Sequence, residues 1–234
     1  MRNFSPQKNL PGTSAPPPAF YTPIYERILD AGDSAQVITP SAKVSGTFRS
    51  ATVAADEFKT DRIQIINTNT IAGNLGTLVL QAKEWVDQGL DITELSDRIR
   101  EMTSREHTFF LVPTLEYLHK GGRIGGATKL VGTLLQIVPI LTLQDGQVEV
   151  YDKARSLKQA ITHLVDLTVS LCENNSDAHL SVGQIDSPEL STKIATRLQE
   201  HLDIDSFPNF VAPPAIVVHT GPGLVVISCF SKPE

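Results

Sequence analysis

Four short stretches carry the residue types that could do chemistry. Thr13 and Ser14 stand in Gly12-Thr13-Ser14-Ala15-Pro16. Ser45-Gly46-Thr47 follows an apolar run. Arg123 lies among four glycines in Gly121-Gly122-Arg123-Ile124-Gly125-Gly126, and His219 opens His219-Thr220-Gly221-Pro222-Gly223. Hydroxyls, a guanidinium and an imidazole are the parts that hold a negative group, and a glycine such as Gly46 lets a ligand approach the backbone closely. Each stretch taken alone has a structural explanation as well. Ser and Thr cap helices, glycines stop them, and a turn histidine can satisfy itself locally.

Other chemistries find less support. No Lys follows Gly126 in the phosphate-loop position, and no strand runs directly into the glycine cluster as dinucleotide binding requires. There is no G-x-S-x-G nucleophile elbow. His107, His119, His163, His179 and His201 lack metal-ligand spacing, so no metal is expected. The four stretches contain no carboxylate, which argues against general acid–base work. The shared inventory points to anion binding, with no catalytic residue and no cofactor.

The elements that must position these groups follow from periodicity and punctuation. A helix is expected from Pro18, with Phe20, Ile24 and Ile28 on one stripe, then a strand over Ala35–Thr39. A helix opening at Ser45-Gly46-Thr47, a strand over Arg62–Asn67, helices over Thr70–Gln88 and Ile92–Thr103, and a strand over Thr108–Val112 continue the alternation. Alternating strands and helices imply a parallel α/β sheet, here with only three strands. The second half reads as α+β. Leu115–Lys120 and Lys129–Gln136 are expected to be helical, and Pro139–Leu143 and Gln147–Tyr151 form a hairpin about Asp145-Gly146. Helices over Leu157–Cys172 and Glu189–His201, a strand over His179–Ile185 and two strands flanking HTGPG complete it. The boundary is placed near Pro113, giving an α/β domain over 1–113 and an α+β domain over 114–234.

The chain has 234 residues, enough for two domains, and its 20 Lys plus Arg against 26 Asp plus Glu give a net charge of -6. That balance disfavours nucleic acid or an anionic membrane as a bulk partner. The apolar run Leu130–Leu143 is too short and too interrupted to be a transmembrane segment. Two cysteines, Cys172 and Cys229, are too few for a disulfide framework, and with no apolar signal segment at the start the expected location is cytoplasmic.

In their order, TSAPPPAFYTPIYERIL, SAKVSGTFRSATVAA, GNLGTLVLQA, PTLEYLHKGGRIGG, LLQIVPILTLQDGQVEVYDKARS and HTGPG resemble the DegV family, fatty acid-binding proteins of the EDD fold, from about Gly12 onward. The resemblance implies a long-chain fatty acid buried between two domains as the bound ligand. It implies that the carboxylate is held around Thr13, Ser14, Ser45, Gly46, Arg123 and His219. It also implies a partner: the ATP-dependent subunit of a fatty acid kinase, which would convert the presented carboxylate to an acyl phosphate for phospholipid metabolism.

The sequence departs from the family in three places. The family's first strand, with its Asp-Ser-Thr turn, would precede TSAPPP and is missing here, so an incomplete N-terminal sheet is expected. Ala15 stands for a Gln and Phe48-Arg49 for Tyr-Gln, and Asn67-Thr68-Asn69 stands where the family has Asp-Ser. Two other readings stay open: a phosphoryl-transfer enzyme on a related fold that uses Arg123 and His219, and a truncated paralogue that binds no lipid.

Overall fold

Pro17 and Pro18 stop the lead segment and start the first turn, because a fixed φ suits a helix N-terminus, where no N–H partner is needed. The computed structural model describes residues 10–131 and 137–233. The chain divides into two units. One comprises Ser14–Ile71 and Leu75–Ser104; the other takes the residues through Thr13, the short piece Ala72–Asn74, and everything from Arg105 onward.

The smaller unit is built on two parallel strands, β1 (Ala35–Thr39) and β2 (Ile63–Asn67), in register from Ala35 opposite Ile63 to Thr39 opposite Asn67. Helices α1 (Thr22–Asp30) and α2 (Thr47–Ala55) supply Tyr25 and Ala54 to a small core with Ile63. α3 (Ala72–Asp87) is followed by Gly89 at φ +90, a left-handed stop. From α4 (Ile92–Ser104), Ser96 reaches the side-chain oxygens of Gln36 and Gln64, tying this helix to both strands. The alternation read from the sequence therefore holds, but the sheet has two strands, not three.

The third expected strand belongs to the other unit. β3 (Glu106–Leu111) lies inside a six-stranded sheet with β4 (Val138–Gln144), β5 (Gln147–Ala154), β6 (Ser181–Gln184), β7 (Asn209–Val211) and β8 (Val225–Phe230). The order is β5-β4-β3-β8-β6-β7, antiparallel except for β6 with β7. The division accordingly falls before β3, at Ser104–Arg105, and not at Pro113. The reason is pairing: β3 bonds along its whole length to β8, a strand over 100 positions later, which no local pattern reveals.

The Asp145-Gly146 turn between β4 and β5 has both central residues at positive φ, 50 and 79, as a two-residue hairpin needs. α6 (Leu157–Leu171) and α7 (Pro188–Gln199) cover one face of the sheet, packing on Phe109, Leu111, Ile140, Val182, Val225 and Ile227. Cys172, which caps α6, is disulfide-bonded to Cys229 in β8, with Cα atoms 6.2 Å apart. The two cysteines, read as too few for a disulfide framework, are thus paired, because α6 crosses the sheet and its end lands beside the last strand.

Two further expectations change. The residues before HTGPG form a helix, α8 (Pro214–Thr220), and not a strand. Pro213 and Pro214 start it, and that signal overrides the β-branched Val217 and Val218. The expected helix over Lys129–Gln136 lies largely outside the described residues; Lys129 and Leu130 end a 3-10 turn that begins at Gly125. No helix among the described residues is long and apolar enough to cross a membrane.

Candidate functional site

Two short helices of the larger unit meet through their terminal glycines. α5 (Glu116–Lys120) ends at Gly121, and α8 ends at Gly221. Any side chain at Gly121 would collide with Nδ1 of His219, the penultimate residue of α8. Reciprocally, a side chain at Gly221 would collide with the ring of Tyr117 from α5. Each helix stop therefore makes room for an aromatic residue of the other. Gly221 has the further requirement of φ +73, which L side chains rarely adopt. The glycines of HTGPG thus have a packing cause that the sequence alone does not disclose.

His219 is bonded at one end of its ring and unmet at the other. Its Nε2 lies 2.8 Å from the hydroxyl of Thr13, which is 206 positions earlier in the chain. Its Nδ1 is enclosed and has no hydrogen-bond partner. Burial lowers the pKa of the imidazole, and the nearby Arg123 guanidinium lowers it further. The ring is therefore neutral at pH 7, and one of its polar atoms is unmet. Arg123 is drawn in by a bond from Nη1 to the carbonyl of Gly121, 2.7 Å. Gly121 thus orients both charged-site residues, through its carbonyl for one and its missing Cβ for the other. A guanidinium beside a neutral imidazole and a hydroxyl is a positive site rich in donors, suited to a carboxylate or phosphate.

The remaining expected residues lie in the smaller unit. Ser45 is not the helix cap: Gly46 holds that position in α2, with no side-chain cap bond. The Ser45 hydroxyl instead accepts from the Thr47 amide at 3.2 Å and sits 2.9 Å from the Thr47 hydroxyl. Gly46 faces Ala15, whose Cβ would lie 3.3 Å from a Cβ added there, so SGT and the TSA stretch are neighbours. Ser14 is exposed beside Ala15. Thr13, Arg123 and His219 are therefore brought together in one unit, and Ser14, Ser45 and Gly46 are grouped in the other. A groove of about 550 Å³ in the smaller unit is lined by Phe48, Thr52, Ile63 and Ile65 with Asp56 and Lys59, and involves none of the expected residues.

Sequence reasoning missed Gly121, Tyr117 and Thr47. The second hydroxyl of S-G-T could have suggested Thr47. Nothing local pointed to Tyr117, whose role exists only once α8 folds back on α5.

A family model described as "Uncharacterised protein, DegV family" matches residues 1–232. The chain belongs to the DegV family. Among curated relatives, a DegV domain-containing protein of Streptomyces coelicolor is 32% identical over 97% of this chain and 81% of its own length. One from Clostridium perfringens is 32% identical over 91% of this chain and 76% of its own. Two solved DegV structures superpose closely. A DegV family protein from Thermus thermophilus, described for its fatty acid binding, has a TM-score of 0.85 and 28% identity over 95% of this chain and 79% of its own. DegV of Bacillus subtilis, described as a fatty acid binding protein, has a TM-score of 0.80 and 26% identity over 94% and 79%. The architecture expected from the resemblance, an α/β DegV (EDD) fold, is the one observed.

Proposed function

We propose that this chain binds a long-chain fatty acid and presents its carboxylate to a separate ATP-dependent kinase. The observation that carries the reading is the enclosed, unpartnered Nδ1 of His219 beside Arg123, with Thr13 fixing the far side of the ring. With Nδ1 protonated, Nε2 accepts the single proton of the Thr13 hydroxyl, and a carboxylate would accept from the Arg123 guanidinium and from Nδ1–H. The fatty acid binding of the solved relatives from Thermus thermophilus and Bacillus subtilis gives that anion its class. Ser14, Ser45 and Gly46 form a second set, in the smaller unit.

Burying each methylene contributes roughly 0.8 kcal/mol. The acyl chain therefore supplies most of the affinity, and the polar residues fix which end is offered. In the partner's reaction a carboxylate oxygen attacks the γ-phosphorus of ATP, ADP leaves, and the acyl phosphate enters phospholipid synthesis. The kinase's need for ATP is the reason to propose the cytoplasm, a compartment in which a disulfide such as Cys172–Cys229 is uncommon.

Native mass spectrometry of the protein purified from cells tests the binding. A co-purifying long-chain acid that is lost with Arg123→Ala is the expected result; folded protein that never carries lipid overturns it. Incubation with ATP, magnesium and the acid, with and without the kinase, tests the division of labour. Acyl phosphate made by this chain alone would make it a phosphoryl-transfer enzyme instead.

A further inference from the structure

The six-stranded sheet has a second face, opposite the one covered by α6 and α7. Cross-strand pairing assigns its rows. Leu141, Phe110, Val226 and Gly183 lie side by side on β4, β3, β8 and β6, forming an apolar row. The next row is Thr108, Ser228 and Ser181, on β3, β8 and β6. Three hydroxyls thus interrupt an apolar surface, and all three residues are buried, at 1%, 1% and 4% exposure.

Two of these hydroxyls are unmet. Ser181 Oγ and Ser228 Oγ are enclosed without a hydrogen-bond partner, and so is Oδ1 of the fully buried Asn74. The orientation of Asn74 is fixed by its other end. Its Nδ2 donates to Glu106 Oε2 at 2.7 Å, to the carbonyl of His107 at 3.0 Å and to Thr108 Oγ1 at 3.1 Å. A carboxylate and a carbonyl only accept, so the amide cannot be turned to satisfy Oδ1. The neighbouring residue brings this first turn of α3 onto the serines. A Cβ at Gly73 would collide with Ser181 Oγ and lie 3.0 Å from Ser228 Oγ. Ala72, just before, is held at φ 54, a strained value for a residue with a side chain. Leaving a buried polar group unsatisfied costs about 1–3 kcal/mol each, and here three such atoms belong to neighbouring residues.

We propose that Asn74 Oδ1 and the hydroxyls of Ser181 and Ser228 form a site for one hydroxyl group. Such a group donates to the amide oxygen and accepts from a serine, which no purely donating or accepting guest can do. The group comes either from a water molecule or from a hydroxylated acyl chain. The second source rests on the proposed fatty acid binding. A polar row set into an apolar face would there distinguish a chain that carries a hydroxyl from one that does not.

Two measurements decide. The first compares octadecanoic acid with a panel of monohydroxylated octadecanoic acids, on wild type and on Ser181→Ala with Ser228→Ala. A preference of about tenfold or more for one hydroxylated acid, abolished in the double variant while octadecanoic acid still binds, identifies the ligand's hydroxyl. The second is a high-resolution crystal structure of the protein without added lipid. A water within about 3 Å of Asn74 Oδ1 and a serine hydroxyl, with no preference among the acids, identifies water. No preference together with a dry site overturns the proposal. If no acid binds at all, the proposed function fails, and the crystal structure still decides this site. Single Ser228→Ala serves where the double variant does not fold.

Discussion

The turn around His219 and the turn around Ser45 both set polar groups beside glycines and are built in opposite ways. At His219 the polar atoms are pinned by the fold: Thr13 on one ring nitrogen, the Gly121 carbonyl on Arg123, and a ring nitrogen left over. At Ser45 the hydroxyls are turned on each other, Ser45 with Thr47, and the turn is complete without a guest. The first holds an unmet polar atom in place, ready for the proposed carboxylate. The second must give up a bond to take one. The difference teaches that the order at His219 comes from tertiary packing of two helix stops, whereas the Ser45 turn is closed by its own neighbouring hydroxyl.

Cutting the staple that lies only in the larger unit should produce the largest effect. Disulfide-bonded Cys172 and Cys229 close a loop of 57 positions. Reduction, or Cys229→Ala, is expected to lower stability by up to about 4 kcal/mol on the chain-entropy scale. Thermal unfolding with and without reductant measures it, and an unchanged midpoint would show that the pair contributes nothing.

Next come the two turn glycines. Gly221→Ala meets both a positive φ and the Tyr117 ring, and should cost about 2–3 kcal/mol with loss of fatty acid binding. Gly46→Ala, at an ordinary φ of -78 with only Ala15 nearby, should stay within about 1 kcal/mol. Equal costs would erase the contrast between the two turns. Ligand titrations sharpen it further. Arg123→Ala should weaken binding about tenfold or more, as expected for a charge-assisted bond, and Ser45→Ala only a few-fold.

The smallest effect is a pH dependence. Burial and Arg123 hold the His219 pKa below its ordinary 6.5, so the unfolded chain takes up a proton that the folded ring resists. Stability from this group is present above about pH 6.5 and is lost as pH falls from there through the lowered folded value. His219→Asn should flatten that part of the profile. His107, lowered by burial as well, keeps its share in the variant. Ser45→Ala should leave the profile as it is.

Much of the fold was legible because local signals agreed with it. AQVIT is a strand, Asp145-Gly146 is a hairpin turn, and Gly89 ends α3. What failed depended on distant partners. Thr108–Val112 reads as the next strand of a parallel sheet, and only the pairing of Glu106–Leu111 with β8 places it elsewhere. Val217 and Val218 favour a strand by type, yet follow two prolines that set a helix. For the candidate site, Arg123 and His219 were singled out by type and by the family's motifs, and the structure packs both against Gly121. Ser45 was expected to cap α2 and instead precedes the cap. The pairing of Thr13 with His219 has no local trace, since its two halves are 206 positions apart.

The position of β8 in the six-stranded order has a consequence for synthesis. This strand sits between β3 and β6, with the β3–β4–β5 meander on one side and the β6–β7 pair on the other. Both groups emerge from the ribosome before it does. Each can associate early, but the two can be joined only when Val225–Phe230 slides in as the keystone. Until then β3 and β6 present open edges, and chaperone demand should peak in that interval.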